Sequence, residues 1–214
     1  NPPGPRPWFD FLHVLLPHEP WRYDQNLRVV SDGPPRAGLD GQARWTDRAA
    51  AENGREYHLR QAQSADTVIG QLRAKLTALG AWDDSVVVVT ADHGLGFEPR
   101  EPARGHSPHD AADLAWTPLF VKAPGQTASA VDDRLARTTD ILPTIADHLG
   151  TRLPWRTDGR SLLGRPRPNG DFTMTSWKLD TVPVTDGLTT VDGVAGFARV
   201  LASGGRGADC APAL

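Results

Sequence analysis

The chain has 214 residues, a formal net charge of -3 and 39% hydrophobic residues. That is enough for one sizeable α/β core, and it lacks the basic stripe that nucleic-acid binding requires, so no nucleic-acid partner is expected. A single Cys210 excludes an intramolecular disulfide, and the longest aliphatic run, Val86 to Val89, is far too short to cross a membrane, so any membrane contact is expected only through a segment outside this chain. Among the 23 basic residues only Lys75, Lys122 and Lys178 are lysines, a bias that points to a GC-rich, bacterial genome.

The opening NPPGPRP reads as an extended, proline-stiffened linker. WFDFLHVLLP follows, and its mostly apolar run predicts a strand over Phe9 to Leu16, buried on both faces and stopped by Pro17. From Trp21 to Gly54 no period is sustained, which predicts a long irregular excursion of the kind that covers a site. Tyr57, Leu59, Ala62, Ala65, Ile69, Leu72, Leu76 and Leu79 then recur at helical spacings, with Gly80 where a C-terminal cap belongs. Asp83 and Asp84 turn the chain into SVVVVTA, a β-branched run without polar alternation that predicts a central strand. TPLFVKA, Thr117 to Ala123, predicts another, and a helix from about Asp140, as N-cap, to Leu149 is closed by Gly150. This order predicts an α/β fold, a three-layer sandwich with a largely parallel central sheet over residues 1–165. A linker and a C-terminal extension of low helix signal fill 166–214.

Asp92 and His93 follow the valine run almost at once. Inside a pleated strand, adjacent side chains point to opposite faces. At the strand's C-terminal end, with Gly94 permitting backbone angles that other residues resist, both can converge where open α/β sheets bind ligands. A carboxylate oxygen with an imidazole nitrogen suits Zn²⁺ or Mn²⁺, and the oxygen alone suits Ca²⁺. The bare tripeptide DHG describes a capped turn with a packed or solvated histidine as readily as a ligand pair. Its context separates the two.

FLHVLLPHEPW, VVVVTADHG, TPLFVKAPG, TTDILPTIADHLG and DGRSLL occur in an order and spacing, from about Trp8 to Leu163, that resemble the sulfatase branch of the alkaline phosphatase superfamily. The resemblance implies an alkaline phosphatase-like fold, metal-dependent hydrolysis of a small-molecule, glycan or lipid sulfate or phosphate ester, and a divalent metal ion (Ca, Mn or Zn) held by Asp92 and His93. It also implies that His18 lies beside the transferred group, binding it or protonating a leaving oxygen, although a histidine between two prolines also describes a solvated loop. His106 falls where many sulfatases set a Lys or His against the anion. In the loop EPREPARGHSPHDAADLAW, Arg104 or His109 could take that place, and a solvated basic loop is the other reading. Lys122 reads as a snorkelling lysine, His13 as a core histidine, and His58 and His148 as helix residues.

In that family the first strand carries an acidic metal ligand, and a later loop carries the nucleophile, a Cys or Ser in C/S-x-P-x-R or a Thr. Both precede the strand that here is Phe9 to Leu16, so the chain is expected to lack the N-terminal strand and nucleophile loop and to be inactive alone. CAPAL at Cys210 has Leu214 where that motif requires Arg. The other readings are an extracytoplasmic phosphoglycerol-type transferase acting on envelope glycan or lipid, anchored to the cell membrane by an upstream segment, and a non-catalytic remnant.

Overall fold

The computed structural model describes residues 8–30, 38–105, 110–132, 134–167, 172–175 and 181–184. Helix α1 (Arg48–Ala78) starts at Asp47, whose carboxylate accepts from the Ala50 amide at 2.8 Å, and Gly80, at φ 66, follows its C-cap Leu79. The helix therefore begins before Gly54, which composition places in the preceding excursion. Gly54 is needed inside the helix because the Trp45 ring lies on it: a β-carbon there would stand 2.1 Å from the indole.

The buried face of α1 is not its apolar stripe but Ala51, Gly54, Gln61 and Ser64. The reason is what the helix packs on, which is Trp45 and the backbone of the 18–25 segment. Gln61 accepts from the amides of Arg22 at 2.8 Å and Tyr23 at 3.3 Å and donates to the His18 carbonyl. Ser64 donates to the Asp24 carbonyl at 2.8 Å, and Thr67 to that of Gln25 at 2.5 Å. Polar groups three residues apart thus satisfy an irregular segment that makes few ladder bonds of its own.

Around Trp45 the rings form a stack. Trp21 lies 6.4 Å from Trp45, Tyr57 lies 6.0 Å from Trp21, and Phe97 lies 5.5 Å from Trp45. Ala51 and Ala103 complete this core.

Strands β1 (Val87–Thr90) and β2 (Leu119–Lys122) pair antiparallel, with Val87 opposite Lys122 and Thr90 opposite Leu119. This corrects the expected largely parallel sheet: among the described residues, both strand pairs are antiparallel. Apolar runs mark buried strands of either sense, so composition alone does not give direction. Between β1 and β2 the described residues hold only the short helix α2 (Ala111–Ala115), not the long helical crossover typical of a parallel pair. The second pair is β3 (Phe172–Thr175) with β4 (Thr181–Val184); β4 lies against α2, and Val184 is buried.

A second correction concerns Phe9 to Leu16. This run forms no strand, Phe11 is 81% exposed, and Phe9, Leu12 and Leu15 are exposed with it, as is His13. An apolar run becomes a buried strand only where neighbours supply hydrogen bonds and cover. Among the described residues no strand pairs with it.

A short 3₁₀ turn, Thr138–Asp140, leads into helix α3 (Ile141–His148), which closes at Leu149 and Gly150, the latter at φ 61. Asp140, expected to cap this helix, makes no side-chain cap bond to it. Its carboxylate, 0% exposed, instead accepts from the amides of Arg137 and Arg160, both at 2.9 Å, and from both terminal nitrogens of Arg167. Burial pushes the Asp140 pKa up, but Arg167 and the two amides outweigh it and hold the carboxyl below its ordinary 3.8. Gly159 passes so close that a β-carbon would meet the Thr139 carbonyl oxygen at 1.9 Å.

Replacing Asp140 by Asn leaves a buried guanidinium without its counter-charge, and urea unfolding is expected to show a loss of about 3 kcal/mol. The folded pKa lies below the unfolded one, so this contribution is present above about pH 4 and disappears as the pH falls through the folded value, where wild type and variant converge. Gln61→Leu strips the His18, Arg22 and Tyr23 backbone groups of a partner and is expected to cost about 2–4 kcal/mol by the same measurement.

Candidate active site

The chain leaves β1 at Thr90, and Asp92 and His93 stand just beyond its C-terminal end. One carboxylate oxygen of Asp92 accepts from the His93 amide at 2.9 Å, and the other faces His93 Nε2 at 3.7 Å. His93 Nδ1 bonds the Gly94 carbonyl at 2.7 Å. A carbonyl can only accept, so Nδ1 carries the proton and Nε2 presents its lone pair.

Two ligands of a tetrahedral ion stand about 3.4 Å apart at bond lengths near 2.1 Å. The Asp92 oxygen and His93 nitrogen therefore need only a small rotation to share one ion, and the Asp92 side chain, 82% exposed, is open to receive it. This donor set fits two of the ligands of a divalent ion. Among the described residues no group of three or more His, Cys, Asp or Glu is arranged to hold one.

Gly94 allows helix α2 to close on this turn. Its amide donates to the Leu114 carbonyl at 2.8 Å, and a β-carbon would stand 1.8 Å from the Asp113 carbonyl oxygen. Beyond it the 96–105 loop folds back against the segment around Trp45. Gly96 donates to Ala103 at 2.9 Å, Ala103 to Ala43 at 2.9 Å, and the Trp45 indole to the Gly96 carbonyl at 2.9 Å.

That fold-back delivers Arg104 to His18, 86 residues away in sequence. The Arg104 guanidinium donates to His18 Nε2, while His18 Nδ1 bonds the Glu19 carbonyl, so this ring too is protonated at Nδ1. The backbone on either side is pinned, at the His18 carbonyl by Gln61 and at the Pro17 carbonyl by the Trp21 indole, 3.1 Å away.

The expected residues thus fall into two pairs, Asp92 with His93 and His18 with Arg104. No described hydrogen bond or ion pair joins one pair to the other, but the Gly96–Ala103 bond keeps Arg104 within about 20 Å of His93 by chain length alone. His106 and His109 lie outside the described residues.

Lys122 donates to the carbonyls of Asp83 and Ser85, both at 3.0 Å, and lies 5.2 Å over the Trp82 ring. Its ammonium closes a turn. His58 is pushed toward its neutral form by burial beside Phe97.

A cleft of about 240 Å³ beyond α2 holds two acids that sequence reasoning passed over, Asp110 and Asp113, with Arg48 and Arg55. Burial raises the pKa of both. The Glu98 amide opposes this at Asp110, and Arg55 opposes it at Asp113. Gln61 was also passed over; its signal is an amide three residues before Ser64 on a helix face of small residues.

Comparison with known proteins identifies the family. The family model described as Sulfatase matches residues 1–151. The chain is 30% identical over 130 residues to the multifunctional alkaline phosphatase superfamily protein PehA of Trinickia caryophylli, covering 59% of this chain and 24% of that protein. It is 27% identical over 164 residues to an endo-4-O-sulfatase of Bacteroides thetaiotaomicron, covering 73% and 32%. Its fold is similar to that of the phosphonate monoester hydrolase SpPMH from Silicibacter pomeroyi, with TM-score 0.52 and 29% identity over 66% of this chain and 29% of that one. The chain spans about a quarter to a third of the length of these relatives. With the family model matched over 151 of its 214 residues, the chain belongs to the sulfatase family.

Proposed function

We propose that the chain works within a metal-dependent hydrolase of sulfate or phosphate esters, with Asp92 and His93 holding a divalent ion and Arg104 and His18 meeting the ester's anionic group. The observation that carries this reading is the Arg104–His18 pair: a guanidinium and an imidazole brought together from distant segments, on a loop that starts at the Asp92–His93 turn. Membership of the sulfatase family and the likeness to a phosphonate monoester hydrolase support the ester class.

A bound divalent ion would supply Lewis-acid stabilisation of a sulfuryl or phosphoryl oxygen and of a deprotonated nucleophile. Arg104 offers a fork of donors to the non-bridging oxygens. His18, protonated on Nδ1, holds its lone pair at Nε2. Once Arg104 turns from that nitrogen to the anion, His18 can take a proton there and give it to a leaving oxygen, or bind the anion when charged. The nucleophile is proposed to come from a segment other than those carrying these two pairs, so these residues alone are expected to turn over no ester. His106, two residues after Arg104, is proposed as a further anion contact. No helix among the described residues is long and apolar enough to cross a membrane. A location outside the cytoplasm, with anchoring by another segment, is part of the same proposal.

Calorimetric titration with Mn²⁺ checks the metal half. Asp92→Ala and His93→Ala are each expected to weaken binding at least about tenfold, whereas Arg104→Ala should leave Mn²⁺ affinity within about twofold and weaken inorganic phosphate about tenfold. Unchanged Mn²⁺ affinity in both ligand variants contradicts the assignment.

A further inference from the structure

His18 also lines a cleft of about 400 Å³, within the range of small-molecule sites, whose walls join apolar Leu15, Leu16, Pro20 and Leu27 to polar Glu19, Arg22 and Gln61. Leu27 stands there at φ 61, a left-handed conformation that glycine and asparagine adopt readily and leucine rarely does. The turn does not require a leucine. Its hydrogen bonds come from Asp24, whose carboxylate accepts from the amides of Asn26 at 2.8 Å and Arg28 at 2.9 Å, and whose carbonyl accepts from the Leu27 amide at 2.9 Å. Glycine would close the same turn without strain, so the turn itself gives no reason for a leucine, whereas the cleft that Leu27 lines does.

We infer that this cleft is a subsite for an apolar alkyl or aryl group of the ester, the anionic end of which meets Arg104 and His18. The inference rests on the anion role proposed above for that pair. A cationic contact at His18 and apolar walls beside it match a molecule with a charged head and an apolar body.

NMR titration of the His18 ring signals with inorganic phosphate, methylphosphonate and phenylphosphonate tests this. In the wild-type protein phenylphosphonate is expected to bind about tenfold tighter than methylphosphonate, as partial burial of a phenyl ring implies. Leu27→Gly, which relieves the positive φ and so keeps the turn, is expected to cut that advantage below about threefold while phosphate and methylphosphonate stay within about twofold. Leu27→Asn, which also accepts this φ, should behave alike. Phosphate binding with no phenyl advantage, or an advantage that survives both Leu27 variants, overturns the subsite and leaves the anion reading standing. Failure of all three ligands to move His18, or phosphate binding unchanged in Arg104→Ala, overturns the anion reading and the subsite with it. Dissociation of a dimer by Leu27→Gly, with ligand preference unaltered, assigns the cleft to a second copy of the chain and overturns the proposal.

Discussion

The indole of Trp45 is the contact on which the described arrangement depends. Its ring presses on Gly54 of α1, stacks between Trp21 and Phe97, and donates its one N–H to the Gly96 carbonyl. Through Trp21 it reaches the turn that carries His18, and through Gly96 and Phe97 it reaches the loop that runs from His93 to Arg104. A single side chain, 1% exposed, thus ties together three segments distant in sequence. Burial of so large a ring supplies the driving force, and the hydrogen bond and the glycine contact supply the direction.

The second constraint is that irregular backbone cannot be buried unsatisfied. The 18–30 segment makes few ladder bonds, so α1 meets it with Gln61, Ser64 and Thr67 rather than with leucines. Asp140 serves the same purpose at the other end of the chain, where one carboxylate gathers two amides and Arg167 around the start of α3. In both places a polar side chain shapes a loop that hydrophobic packing alone would leave free to shift. Mobile or misplaced loops would separate His18 from Arg104, so these polar contacts bear on chemistry as well as on stability.

Much of this was legible in sequence where local chemistry decides the outcome. The β-branched run and the glycine after His93 mark a strand and its exit, and Gly80 and Gly150 mark helix ends by their left-handed backbone. His18 is singled out only by the resemblance of its LLPHEPW segment to the sulfatase pattern. What could not be read depends on partners. The direction of β2 against β1 leaves no trace in either apolar run, and Phe9 to Leu16 has the composition of a core strand without a described neighbour to make it one. Gly54 looks like a breaker until the Trp45 ring is seen against it. Gln61 and Asp140 are ordinary polar residues whose partners are backbone groups with no sequence signature.

The account's central claim is that the Asp92–His93 pair and the His18–Arg104 pair serve one site. Adding Mn²⁺ to the protein and following paramagnetic broadening of the histidine ring NMR signals tests it directly. The account predicts that the His93 and His18 signals broaden together at substoichiometric metal, with His93 affected first. A His93 signal that stays sharp at saturating Mn²⁺, or one that broadens while His18 is untouched, would contradict it.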